Sequence, residues 1–270
     1  MSRPQPRELT VESVIELTPN MRRIVLTGEA LADFPADSKS GYVKLQFDQQ
    51  GRPLDAAALA QFEGRPQMRS YTVRQIDVEN RLLTLDMVLH GDGDASSGPA
   101  AHWAASAQPG DVVMVGGPGP TKLIAQPADY YFLVGDMTAL PAIAANLEEL
   151  PEESAGIAII EIASPDDVQH LICPKNIHIE WVVADNHKDN VEYQQVADNS
   201  LLVTTATQQN WPDSDVSVWA ACEFHKMRSL RRYFRDARGL NSERLYISSY
   251  WKLDRTDEQH KQDKKTDPEA

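Results

Sequence analysis

The pattern of apolar residues changes character once along this chain, and that change decides what the chain can fold into. Up to residue 116 the apolar positions come in short, half-alternating runs split by turn residues. Residues 10–17 and 21–27 are joined by Thr18-Pro19-Asn20, a turn signal. Residues 42–47 alternate cleanly and put Lys44 on the face opposite Val43 and Leu45. Residues 69–74, 81–90 and 111–116 complete a set of six or so strands, which predicts a small antiparallel barrel. From residue 130 the runs become continuous, as in strands covered on both faces, and they alternate with helical segments. Strands over 130–135, 156–162, 177–183, 216–221 and 245–251, with helices over 138–147 and 223–235, predict an open parallel α/β sheet. Such sheets bind ligands at the carboxyl ends of their strands.

A length of 270 residues is comfortable for two domains. The boundary is expected in the Gly/Pro-containing stretch 116–129, giving domains 1–122 and 123–253. Residues 254–270 form a charged tail that is either a solvated helix or disordered. No apolar run approaches the ~20 residues of a membrane span. The first residues, Met1 to Arg7, lack the apolar core of a signal peptide, so a cytoplasmic location is expected. A net charge of −14 argues against nucleic-acid or anionic-membrane partners. Cys173 and Cys222 are far apart and make neither a metal-ligand spacing nor a disulfide framework.

Within the barrel region, Met68-Arg69-Ser70-Tyr71-Thr72-Val73-Arg74 carries the most chemistry. Arg69 and Tyr71 are two apart on a strand and share a face. A guanidinium grips a phosphate with a planar fork, and a phenol offers a flat apolar ring with a polar tip. These are the groups that hold a flavin by phosphate and ring, and they are equally the groups of a half-exposed strand with surface arginines. Downstream, residues 91–98 are rich in Gly, Asp and Ser, and Gly98-Pro99-Ala100-Ala101 reads as a helix start with proline in its first turn. Gly135-Asp136-Met137-Thr138-Ala139 lies where a strand meets a helix, without a Gly-x-Gly-x-x-Gly fingerprint.

Taken in order, five segments resemble the siderophore-interacting proteins, flavin-dependent ferric-siderophore reductases of the ferredoxin-reductase-like superfamily. They are Arg69-Ser70-Tyr71-Thr72; His90-Gly91 with Gly98-Pro99-Ala100 and Trp103-Ala104; residues 135–143; residues 219–223; and Ser249-Tyr250-Trp251-Lys252. The resemblance implies an FAD-binding barrel followed by a Rossmann-like NAD(P)H-binding domain. It implies that Arg69 holds the FAD pyrophosphate, with Ser70 in the same motif, that Tyr71 lies against the isoalloxazine and that Thr72 bonds its reactive edge. Val88 and His90 would face the adenine or the linking chain. Gly98, Pro99, Ala100 and Ala101 would present amides to phosphate at a helix N-terminus; Pro99 has no N–H, so Ala100 and Ala101 must supply them. Asp136, Thr138 and Ala139, with Tyr250 and Trp251, complete the implied cofactor contacts.

The implied substrate, a ferric siderophore, is often anionic, so cations are expected around it: Lys44 and Lys252, then Lys122 and Arg255. The implied reaction is electron transfer through the flavin, with neither a catalytic side chain nor a protein-bound metal. NADH, NADPH or a reduced ferredoxin would supply the electrons. Glu161, with no basic cluster after its strand, favours NADH. The family usually has Glu where this chain has Met137, and Gly where it has Cys222 and Ser249. Cys222 adds bulk where a nicotinamide needs close approach, which keeps ferredoxin open as donor. The run from Lys226 to Arg235 is then either its docking patch or a solvated helix face. Two other readings share parts of this pattern: a general ferredoxin-reductase-type flavin oxidoreductase, and a non-catalytic siderophore-binding protein.

Overall fold

In the computed structural model, described for residues 5–89, 98–184 and 193–267, the chain divides into two compact units, 1–122 and 123–270. The first contains β1 (Arg7–Thr18), β2 (Met21–Thr27), β3 (Tyr42–Phe47), β4 (Gln67–Thr72), β5 (Gln75–Asp77), β6 (Leu82–Val88) and β7 (Val112–Gly119). It also carries a short α1 (Ala56–Ala60) and α2 (Pro99–Ser106). The strands form one antiparallel sheet in the order β4-β3-β7-β1-β2-β6-β5. Its two ends, β4 and β5, are separated along the chain only by Val73 and Arg74. Val73 N donates to Gly41 O and Val73 O accepts from Ser40 N, both at 2.9 Å, while Arg74 N donates to Thr84 O on β6 at 3.0 Å. One bent segment thus serves both edges, and the sheet closes on itself as a barrel. Among the described residues this sheet has seven strands where six or so were expected; the additional one is the three-residue β5, too short to leave a periodic signal.

Alternation decides which side chains fill this barrel. Val43, Leu45 and Phe47 of β3, Ile24 and Leu26 of β2, and Leu83, Leu85 and Met87 of β6 are all fully buried in one cluster. Each such side chain contributes roughly 1.5–3 kcal/mol by leaving water. Trp103 of α2 joins them, edge-on to Phe47 at 6.3 Å.

The second unit contains β8 (Tyr130–Gly135), β9 (Ala155–Ile162), β10 (Asn176–Val183), β11 (Val216–Glu223) and β12 (Leu245–Trp251). All pair in parallel, in the order β10-β9-β8-β11-β12. Its helices are α3 (Leu140–Glu148), α4 (Tyr193–Asp198), α5 (Leu201–Gln208), α6 (Phe224–Arg231) and α7 (Asp257–Thr266). The chain winds outward from β8 to β10 and then returns to the other side of β8. The direction reverses between β8 and β11, whose carboxyl ends are Gly135 and Glu223. Such a reversal opens the crevice where doubly wound sheets bind ligands. Glycine at position 135 is required: a Cβ there would stand 2.7 Å from Ala221 O and 2.8 Å from the Ala139 Cβ.

The charged tail is α7, and it belongs to the second unit. Thr256 and Gln259 close a capping box at its start, and His260 is its buried residue. Among the described residues no helix is long and apolar enough to cross a membrane.

Candidate functional site

In the barrel unit, β4 pairs with β3 in the register Leu45↔Arg69, Lys44↔Ser70, Val43↔Tyr71 and Tyr42↔Thr72. Directly opposed residues share a face. Arg69 and Tyr71 therefore lie together on the face of Val43 and Leu45, and Lys44 lies with Ser70 on the other. Arg69 and Tyr71 are half-buried, Ser70 is exposed and Thr72 is buried. The Tyr71 ring packs on the barrel core. The Arg69 guanidinium donates from Nη1 to Met68 O (3.0 Å) and from Nη2 to Gln67 Oε1 (3.2 Å). Gln67 in turn donates from Nε2 to Asp48 O at 3.0 Å, so one amide ties the loop after β3 to the guanidinium. Sequence reasoning missed Gln67, which stands two residues before Arg69 on the same face.

The N-cap of α2 is Gly98, at φ +78, a conformation that suits glycine. It has no side chain to accept from the first-turn amides, and that turn contains no acidic residue. Among the described residues no side chain caps the first-turn amides, those of Ala100 and Ala101 included, and the helix dipole makes an anion a suited acceptor for them. At the opposite end, Arg22 of β2 donates to Ala104 O (3.2 Å) and Ala105 O (2.6 Å), pinning the helix by its C-terminal carbonyls. Arg22 is a second residue that sequence reasoning missed, because the contact spans more than eighty positions. Val88 is half-buried at the end of β6, opposite Met21. His90 lies outside the described residues. An FAD pyrophosphate fits this donor set: uncapped helix amides and an oriented guanidinium are what a doubly charged linker needs, and Tyr71 and Thr72 supply an aromatic surface and a hydroxyl.

Lys44 is half-buried, with Nζ 5.8 Å from the Tyr42 ring centroid. Among the described residues it has no carboxylate partner. Lys122 is half-buried, and its carbonyl accepts from Ser40 Oγ at 3.1 Å.

In the α/β unit, Asp136 stands at the sheet's reversal point and is buried. Its Oδ1 accepts from Thr138 N (2.9 Å) and Thr138 Oγ1 (2.5 Å); its Oδ2 accepts from Glu223 N (2.9 Å) and Trp251 Nε1 (2.8 Å). One carboxylate therefore gathers the ends of β8, β11 and β12. Thr138 is half-buried and Ala139 buried, just ahead of α3. Tyr250 sits edge-on to Trp219 at 6.3 Å, and Trp251 remains exposed.

Glu223 caps α6, accepting from His225 N (2.6 Å) and Lys226 N (3.2 Å), and accepts from Leu253 N at 3.2 Å. Burial raises its carboxyl pKa above the ordinary value. Glu161 was expected to favour NADH. Instead it holds Lys226 Nζ in a bidentate pair at 2.5 and 2.7 Å. Burial alone would lower that ammonium, but the Glu161 charge outweighs it and the Lys226 pKa stands above its usual value.

The three departures from the family pattern have structural accounts. Met137 Sδ accepts from Ala163 N at 3.3 Å, joining the ends of β8 and β9. Cys222 is fully buried in the apolar cluster of this unit, and burial raises its thiol pKa. Ser249 Oγ lies 2.8 Å from His260 Nε2, so its hydroxyl anchors α7.

The basic run on α6 is largely neutralised. Lys226 pairs with Glu161, Arg228 and Arg231 with Asp267, and Arg232 with Asp198. Lys252 Nζ lies 2.6 Å and Arg255 Nε 3.2 Å from the same oxygen of Asp263 on α7.

Comparison with known proteins agrees with this arrangement. Residues 10–122 match the family model described as a siderophore-interacting FAD-binding domain, and residues 128–254 match that of the siderophore-interacting protein. The NADPH-dependent ferric-chelate reductase of Escherichia coli is 30% identical over 91% of this chain and 92% of its own length. The ferric vibriobactin reductase of Vibrio cholerae is 27% identical over 98% of this chain and 96% of its own. The crystal structure of a siderophore-interacting protein from Aeromonas hydrophila superposes with a TM-score of 0.79 at 31% identity, covering 96% of both chains.

Proposed function

Because the chain belongs to the siderophore-interacting protein family, we propose that it is an FAD-dependent reductase of ferric siderophores, drawing electrons from a nicotinamide nucleotide. FAD, when bound, supplies the means to take electrons in pairs from a hydride donor and to pass them on singly. The chain's own residues bind and orient. Arg69, fixed by Gln67, and the Ala100 and Ala101 amides hold the pyrophosphate; Tyr71 offers its ring to the isoalloxazine and Thr72 its hydroxyl. Lys44, which has no carboxylate partner among the described residues, offers its ammonium to an anionic ligand, and Lys252 and Arg255 offer tempered ones.

The substrate's own chemistry completes the reaction. Iron(III) bound by hard oxygen ligands gains one electron, and the resulting iron(II) is held more weakly by those ligands and leaves. No proton has to move at a stated side chain, which agrees with a site built of binding groups.

The observation that carries this reading is the Gln67–Arg69–Tyr71 face of β4, a guanidinium held ready beside an aromatic ring. The reversal point between β8 and β11 supports a dinucleotide donor. A ferredoxin is the less favoured donor, since the α6 cations suited to it are already paired. The test is reconstitution of the full chain with FAD, followed by titration of Arg69→Ala. Wild type is expected to copurify with flavin and the variant to lose it; equal flavin retention overturns the assignment of Arg69.

A further inference from the structure

Two cations just beyond β12 share one counter-ion. Asp263 Oδ2 lies 2.6 Å from Lys252 Nζ and 3.2 Å from Arg255 Nε. Lys252 is further confined by the Phe224 ring, whose centroid is 4.3 Å from Nζ. The Asp263 side chain remains 26% exposed, so a ligand arriving from solvent meets the carboxylate together with the cations.

This counter-charge is built into the fold. The helix that carries Asp263 is capped by Thr256 and Gln259. Its His260 is buried against Ser249, and its Lys264 Nζ donates to Ser248 Oγ and Ser249 O, both at 2.9 Å. Hydrogen bonding from Lys252 holds the Asp263 carboxyl below its ordinary value, so it is ionised at neutral pH. The three groups in direct contact therefore sum to a single positive charge. Within a chain of net charge −14, that is a weak attraction for a multiply charged anion.

We propose that Asp263 determines substrate specificity by tempering Lys252 and Arg255, so that the site favours ferric complexes of little or no net charge, the tris-hydroxamate class, over triply anionic tris-catecholates. The inference rests on the ferric-siderophore reading above and on Lys252 and Arg255 meeting the substrate. The charges follow from the ligands: three singly charged hydroxamates neutralise iron(III), whereas three doubly charged catecholates leave three negative charges. Removing Asp263 leaves both cations uncompensated and raises affinity for the anion while barely touching the neutral complex.

The test uses gallium(III) complexes, which carry the same charge as the iron(III) complexes and accept no electron, so binding is read apart from turnover. Calorimetric titration of the FAD-loaded full chain compares a neutral tris-hydroxamate with a triply anionic tris-catecholate complex. Wild type is expected to bind the neutral complex more tightly. Asp263→Asn is expected to tighten the anionic complex by about tenfold and the neutral one by less than about twofold. Glu152→Gln, which removes one charge from an exposed turn of the same unit, is expected to change neither ratio. Arg255→Gln, which removes a cation and keeps Asp263, should move the ratio the opposite way. The inference is overturned if wild type prefers the anionic complex, if Asp263→Asn shifts both complexes equally, or if Glu152→Gln reproduces its effect. Binding of neither complex by any of these proteins overturns the substrate reading itself, and the inference with it.

Discussion

In the proposed site Arg69 is the residue on which FAD binding would depend most, and its guanidinium is held by its neighbour Gln67. Charge-assisted hydrogen bonds are worth about 1.5–3 kcal/mol each, so Arg69→Ala should weaken FAD binding by roughly 10- to 150-fold, read by flavin fluorescence titration. Gln67→Ala should weaken it less, through a guanidinium no longer held, with thermal stability little changed. The shared face of Arg69 and Tyr71 was legible because a strand's two-residue period fixes which side chains stand together. Gln67 and Arg22 were not, since a glutamine at a strand start and an arginine inside one have no distinctive pattern; only the fold shows what they touch. Glu161 shows the opposite failure. Its place near the end of β9 suggested a preference for NADH, but Lys226, sixty-five positions away, holds its carboxylate.

At the scale of elements, the long strands followed directly from patterning, and β2, β3, β8 and β12 occupy the ranges that the apolar pattern predicts. The missed pieces, α1, β5, α4 and α5, are short segments with little periodicity of their own. The tail was ambiguous because a charged helix gains little from the helix alone; α7 exists through its docking. Ser249, Phe224, Lys252 and the helix's own Lys264, Asp257 and Asp263 surround His260. Burial, then the Lys264 charge, lowers the His260 pKa to about 4, so the docked imidazole is neutral. A detached α7 would bind a proton near the ordinary histidine value of ~6.5. Docking strength is therefore full above about pH 6.5 and falls as pH drops toward about 4, by up to about 3 kcal/mol. Hydrogen exchange should show α7 amides losing protection between pH 7 and 5 in wild type and not in His260→Gln; equal protection at both values in wild type refutes the histidine's role. At the end of β8, Gly135→Ala pushes a methyl into Ala221 O and should cost about 1–3 kcal/mol in thermal or denaturant unfolding. The turn after β9 bears the exposed Asp166 and, within Pro165–Asp167, no cation. A nucleotide 2′-phosphate placed there would be repelled, so on the proposed function bound flavin should be reduced several-fold more efficiently by NADH than by NADPH, as measured by stopped-flow absorbance.

For the whole molecule, the apolar pattern changes character over residues 116–129, and along the chain the boundary between the two compact units falls between Lys122 and Leu123. The bulk charge was visible too, but not how it is spent. Asp263 and Asp267, both in the tail, neutralise cations at Lys252, Arg255, Arg228 and Arg231, and nothing short of the fold reveals those pairings. The chain therefore has less free positive charge for an anionic ligand or an acidic protein partner than its sequence suggests, which places the weight of recognition on a few residues. The reductase reading is tested most directly by an anaerobic single turnover on the full chain: bound FAD is reduced with NADH and mixed with a ferric tris-hydroxamate complex in the presence of an iron(II) trap. Reoxidation of the flavin with about two iron(II) trapped per flavin is the expected result. Flavin that stays reduced until oxygen is admitted, with no iron(II) formed, contradicts it.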